Sequence, residues 1–428
     1  MNESFLHYLW QFQYFDKKEL KTTEGEDIVI YKQGILNSHA GPDFSNAKIK
    51  IGTIEWAGNV EIHIKASGWI DHRHQEDAAY DNVILHVVWQ NDKPIYARDK
   101  SVLPTLELQH RAPGALITQY QKLINTTSSV PCERLLPLVP EITRFSMSDR
   151  TLVERLQQKS QWIRDLYKSI GNDWEETAYQ VIAKNFGFKV NNDPFLALAQ
   201  HLPYKLILKQ SNPIQVEALI FGVAGFLEAG MKDGYFNELQ REFRLQKTKY
   251  RLEDKVLNPA QWRFLRLRPA NFPTIRLAQF SALLTTGRNL FSRIIEAEGY
   301  EALTKLFSTS QSAYWQNHYR FGKKSNSGIS AMGSASVDNI IINSVAPLLV
   351  AYGTEKGAQA YIERAQEILQ QIPAESNAIT RTWEKLNWEV KTAFDSQALI
   401  GLYSNYCKPK NCLNCAVGAS ILKPNIER

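Results

Sequence analysis

The apolar residues of this chain change their period once, and that change limits the folds open to it. Up to about residue 110 they recur in short runs at every second position, the spacing of half-buried strands. From about residue 112 they recur every third or fourth, the spacing of helices. The strand-like runs are DIVIYKQG (27–34), AKIKIGTIEWAG (47–58), NVEIHIKA (59–66), NVILHVVWQ (82–90) and the weaker SVLPTLELQ (101–109). Segments 47–58 and 59–66 meet at Gly58-Asn59, which reads as a hairpin turn. ESFLHYLWQFQYF (3–15) spaces Phe5, Leu6, Leu9, Trp10 and Phe12 as an amphipathic helix, NSHAGPDF (37–44) has turn chemistry, and GWIDHRHQEDAAYD (68–81) suits a loop with a short helix. The expectation is an α+β domain over residues 1–111, with a mixed sheet, and a mainly α-helical region over 112–428. Segments 151–170 and 215–230 are two of the helices, and the Gly/Ser-rich stretch 322–336 is a loop.

A chain of 428 residues exceeds what one core needs, and 44% hydrophobic with 22% charged residues excludes disorder and fibrous repeats. The longest uncharged apolar stretches, such as Val345 to Tyr352, are far shorter than the roughly 20 residues that cross a bilayer. MNESFLHYLW has neither the basic start nor the cleavage site of a signal peptide. No membrane partner and a cytoplasmic location are therefore expected; the oligomeric state is open.

Histidines and carboxylates crowd the first domain. Five of the nine histidines (His39, His63, His72, His74 and His86) lie among Asp43, Glu61, Asp71, Asp77 and Asp81. On a strand, residues i, i+2 and i+4 share a face, so Glu61, His63 and Lys65 line up while Val60, Ile62 and Ile64 face the core. Asp43, at the turn entering the preceding strand, comes within reach of Glu61. Paired carboxylates beside a basic group suit metal-assisted phosphodiester hydrolysis: their hard oxygens hold Mg²⁺ or Mn²⁺, and a Lys or His handles the attacking water. A second arrangement is a His/Asp site built on His72-x-His74 with Asp77 or His86, acting on a small molecule. The third is a polar surface of structural origin.

The order helix, strand, Pro42-Asp43 and strand, Glu61-x-His63 on the next strand, helix, strand (αβββαβ) resembles the core of the PD-(D/E)XK nuclease superfamily. That resemblance implies metal-binding roles for Asp43 and Glu61. His63 stands where the motif has Lys; Lys65 on the same face is one candidate replacement, and His63 itself, as base or ligand, is the other. It also implies an alternative, a degenerate site that binds nucleic acid without cutting it.

YCKPKNCLNCAVG sets Cys407, Cys412 and Cys415 at C-x4-C-x2-C, a spacing that can wrap Zn²⁺ or an iron–sulfur cluster, with Cys132 as the one cysteine left for a fourth ligand. One upstream and three C-terminal cysteines resemble the split arrangement of iron–sulfur nucleases, in which a cluster clasps the two ends of the nuclease region.

Net charge is only +6, but from Arg241 to Arg276 ten Lys and Arg face three acids. Within that window Arg263, Arg266, Arg268 and Arg276 interleave with Trp262, Phe264 and Phe272. Arginine forks grip phosphate and aromatic rings stack on unpaired bases, so this is the candidate nucleic-acid contact, with DNA ahead of RNA. The competing reading puts the aromatics in the core and the arginines on a solvated face. Across the whole chain, HAGPDF, GNVEIH, WIDHRH, YDNVILHVV, RPANFPTIRLA and the terminal cysteine motif resemble an uncharacterised bacterial family of unknown function. The reading that follows is a metal-dependent nuclease or nuclease-like protein. A non-catalytic nucleic-acid-binding scaffold and a small-molecule metallohydrolase are its alternatives.

Overall fold

The computed structural model describes residues 2–37 and 39–423, so Ser38 of the 37–44 turn lies outside the described residues. Its first elements run α1 (Glu3–Phe12), β1 (Ile28–Lys32), β2 (Ile35–Leu36), β3 (Phe44–Ile51), β4 (Ile54–Lys65), α2 (Gly68–Asp71), β5 (Val83–Gln90), β6 (Thr105–Glu107) and α3 (Gly114–Asn125). The sheet order is β1-β3-β4-β5-β6, with β2 also paired to β3. β3 is antiparallel to both β1 and β4, whereas β4/β5 and β5/β6 are parallel, so the sheet is mixed. A parallel neighbour cannot be reached by a tight turn, and residues 66–82, which carry α2 and two 3₁₀ turns, supply the crossover from β4 to β5.

Helix α1 begins where the Asn2 side chain accepts the Phe5 N–H and ends at Gln13 in the left-handed conformation. Its apolar stripe of Phe5, Leu6, Leu9 and Trp10 is buried, and the helix packs on β4. The β3–β4 turn is Gly52-Thr53, with Ile51 opposite Ile54 and Gly52 at φ +59°. The expected turn at Gly58-Asn59 instead lies inside β4. Gly58 is there for close approach: a Cβ would sit 2.5 Å from Ile84 Cγ2 and 2.6 Å from the Asn82 carbonyl oxygen.

Contacts divide the chain into two units: residues up to Met147 together with those from Leu402 onward, and Ser148–Gly401. This differs from a boundary at 111/112. Helix α3 stays with the sheet because the last helix, Ala416–Leu422, returns to pack against it, and Gln119 Nε2 donates to the Ile421 carbonyl at 3.0 Å.

The second unit is helical. The part of α4 (Glu141–Ser169) from Ser148 on joins α5 (Trp174–Phe186), α6 (Phe188–His201) and helices that include Pro213–Val223 and Pro273–Thr285. These last two are apolar nearly all round and buried accordingly. Among the described residues, the helical stretch Ser334–Lys356 is the one long and apolar enough to cross a membrane. Its apolar window is 67% buried within the protein, with Ile340, Ile341, Val345 and Leu348 fully enclosed. That is the pattern of a core helix.

Candidate metal centre

The site is built where β4 is covered on both faces, at Val60, Glu61, Ile62 and His63. Asp43 precedes β3 by one residue, and Phe44 is paired with Val60 beside a register shift. The Asp43 N–H donates to Glu61 Oε2 at 3.0 Å, and the Ile62 N–H donates to Asp43 Oδ2 at 3.0 Å. Each carboxylate thus anchors the other's strand.

The histidines arrive from the crossover. α2 ends at His72, Arg73 takes the left-handed conformation (φ +59°), and the chain doubles back so that His74 lies beside His72. The ligand atoms of His63, His72 and His74 all lie within 4.8 Å of one another. His63 Nε2 is 3.1 Å from His72 Nδ1 and 3.8 Å from Glu61 Oε1; His74 Nε2 is 3.3 Å from the same Glu61 oxygen. Donors around a tetrahedral ion with bonds of about 2.0–2.1 Å would stand roughly 3.3–3.4 Å apart, a value these separations bracket. On its other side His63 Nδ1 is 2.9 Å from His86 Nε2. With His63 donating there, its Nε2 lone pair is left for a ligand, and His86 takes the outer-acceptor place that a carboxylate, carbonyl or water fills behind most metal-bound imidazoles. Two imidazole nitrogens here are buried without a hydrogen bond, His74 Nε2 and His86 Nδ1. The first faces the cluster, so the donor set fits a cation.

Packing fixes the rings. Tyr80 stacks on His74 at 3.8 Å between centroids, and Trp69 meets His74 edge-on. α2 starts at Gly68, where a Cβ would lie 2.6 Å from His63 Cδ2. Glu61, His63, His74 and His86 are buried, whereas His72 is exposed and Asp43 half-buried, so the site opens on that side. Burial, then the neighbouring imidazoles, push His63 down to about 3; burial and then His74 do the same to His86. Burial also lowers His74. All three stay neutral, the form that donates a lone pair. Burial and then Asp43 raise Glu61 to about 8, and burial followed by Glu61 raises Tyr80 to about 12.

Residues 3–378 match the family model described as "Protein of unknown function (DUF2851)". The chain belongs to this family. No curated protein and no solved structure matches it. The matched stretch contains the whole imidazole–carboxylate cluster and Cys132, and stops before Cys407, Cys412 and Cys415.

Of the residues singled out from sequence, Asp43, Glu61, His63, His72 and His74 come together. Lys65 does not: it is exposed at the end of β4, opposite Gln90. Asp77 caps the turn at Ala79 and His39 is exposed in its loop. His7 is the residue the sequence reading missed. Its Nε2 lies 3.2 Å from Asp43 Oδ2, brought there by α1, and a histidine among the polar positions of an amphipathic helix carries no signal of its own.

The four cysteines are buried, none is in a disulfide, and all belong to the unit that holds the sheet. In the helical unit Arg263, Arg266 and Arg268 are exposed. Arg276 must be withdrawn from the phosphate-binding set. It sits in the buried helix Pro273–Thr285, donates to Asn271 Oδ1, Gln279 Oε1 and Ser336 Oγ at 2.7, 2.9 and 3.1 Å, and covers the Phe188 ring. The aromatics pack as well: the Trp262 indole N–H donates to the Ala224 carbonyl, and Phe264 meets Phe272 edge-on.

Proposed function

We propose that this protein is a metal-dependent hydrolase of phosphodiester bonds in nucleic acid. The observation that carries the reading is the convergence of His63, His72 and His74 within 4.8 Å, beside Glu61. Three imidazoles and a carboxylate favour a first-row transition ion such as Zn²⁺ or Mn²⁺ over Mg²⁺. When bound, such an ion would stabilise charge on phosphoryl oxygens and acidify water.

The chain's own groups do the rest. Glu61 Oε1 completes the donor set, and His86 holds the His63 tautomer. Asp43, steadied by the Ile62 N–H and by His7, accepts the proton of the attacking water at its carboxylate, and half-exposed His7 passes it toward solvent. The substrate class draws support from the mixed sheet, with Asp43 at the entry to β3 and Glu61 on its antiparallel neighbour β4, as in the PD-(D/E)XK pattern. The exposed Arg263, Arg266 and Arg268 support it too, as phosphate contacts. A second reading, hydrolysis of a small molecule, is favoured by one observation: Glu61, His63 and His74 are each less than a tenth exposed.

The test is cleavage of single-stranded, duplex and branched DNA and of RNA with Zn²⁺, Mn²⁺ or Mg²⁺, comparing the native protein with Asp43→Asn and His74→Ala. Metal-dependent cutting that both variants lose supports the proposal. An uncut but salt-sensitively bound panel points to the non-catalytic scaffold. Metal retained by Asp43→Asn with no affinity for nucleic acid points to the small-molecule enzyme.

A further inference from the structure

Cys132 and the C-terminal cysteines are separated by most of the chain, yet they are gathered in one unit and each is only 6–8% exposed. Four buried thiols are all the cysteines this sequence has. Inert thiols can fill a core as small apolar groups, but the chain around these is shaped for something else. A π-turn, Tyr403–Cys407, leads into a reversal at Lys410 (φ +58°), a 3₁₀ turn at Cys412–Asn414 and then the helix that starts after Cys415. The Lys410 N–H bonds back to the Cys407 carbonyl and the Cys415 N–H to that of Cys412, so both spacers are wound tight. Lys410 Nζ is tied in turn to the carbonyls of Ile124 and Thr126, at 2.6 and 2.8 Å, on the segment that runs on to Cys132. The helix that starts after Cys415 packs on α3, whose last residues lead into the segment carrying Cys132.

We infer that Cys132, Cys407, Cys412 and Cys415 ligate one thiophilic metal centre that clasps the C-terminal segment to the sheet-bearing unit. Ligation makes each thiol a thiolate and releases its proton to solvent; four thiolates around one divalent ion leave a net charge of −2. The shared chemistry is the four-thiolate cage, which accepts either Zn²⁺ or a cluster of iron and sulfide. The clasp also seats α1. Tyr8 Oη donates to the Ala419 carbonyl at 3.4 Å, Phe5 stacks on Tyr120 of α3 at 4.4 Å, and Cys412 and His7 line the same cleft of about 470 Å³. The cysteines therefore hold the helix that carries His7 to Asp43. This inference does not rest on the proposed hydrolase activity.

The full-length protein is expressed with iron and zinc supplied, purified without oxygen, and assayed for both metals, acid-labile sulfide and visible absorption. X-ray absorption identifies the scattering atoms. Iron with sulfide and a visible charge-transfer band supports a cluster; zinc with sulfur scatterers supports the single-ion form. Zinc at the histidine cluster would instead show nitrogen and oxygen neighbours and would be lost in His74→Ala, so the two sites are read separately. Cys412→Ser and Cys132→Ser should each abolish the thiolate-bound metal while His74→Ala retains it. Should those variants misfold, the native protein still decides. No sulfur-coordinated metal, with all four thiols titrating on denaturation in the absence of a chelator, overturns the proposal.

Discussion

His7 on α1 approaches the carboxylate of Asp43 at 3.2 Å, and that carboxylate also accepts the Ile62 N–H of β4. One helix and two strands thus meet at a single acidic oxygen. If His7 steadies Asp43, His7→Ala lowers metal-dependent hydrolysis by roughly 10–100-fold, the usual effect of removing a supporting group, while bound metal stays stoichiometric. Parallel assays of turnover and metal content check this.

Gly68 is the point at which α2 rests on His63. Gly68→Ala pushes a methyl into the imidazole, which is already held by His86 and His72. Overpacking of this kind costs about 1–3 kcal/mol. Metal affinity should fall by roughly tenfold or more as the ring is displaced. Competition with a chromogenic chelator measures the second effect, and urea unfolding the first.

The arginines of the helical unit divide by exposure. If Arg263, Arg266 and Arg268 each contact a phosphate, their combined replacement by Ala lowers the slope of log affinity against log salt by about two to three. Arg276→Ala should leave that slope unchanged and cost about 2–3 kcal/mol of stability, because Asn271, Gln279 and Ser336 lose a charged donor. Fluorescence anisotropy across a salt series separates the two.

Lys159 of α4 gives the helical unit a pH dependence. Its Nζ donates to Asn343 Oδ1 and Gln397 Oε1, both at 2.9 Å, and burial followed by Arg155 lowers it to about 7 from the ordinary lysine value of 10.5. Between those values the unfolded chain holds a proton that the folded one lacks. Stability therefore rises with pH across that window and levels off at its lower value below about 7, where the amine is charged in both states. Lys159→Met removes this slope, as urea midpoints taken from about pH 7 to about pH 9 will show.

Local pattern carried much of the site. Period-two alternation put Glu61 and His63 on one strand face, turn chemistry put Asp43 beside them, and the density of His72 and His74 marked the crossover. What escaped depended on residues distant in sequence. Gly58-Asn59 has the chemistry of a turn, and only the approach of Asn82 and Ile84 makes it mid-strand. Arg276 reads like its exposed neighbours until its helix is seen enclosed on every side. The boundary at Met147 depends on a terminal segment that comes back across the length of the chain, which no local window contains.

That return has a consequence for how the protein is made. Asp43, Glu61 and the histidines leave the ribosome early, the cysteine loop after Gly401 late, and Ser148–Gly401 is synthesised between them. At about 5–20 residues per second, the early segment waits roughly 10–50 s for its closing piece. A nascent chain thus holds every imidazole and carboxylate of the site while α1 still lacks the segment it rests on. The order of translation postpones the finished centre until the helical unit is complete.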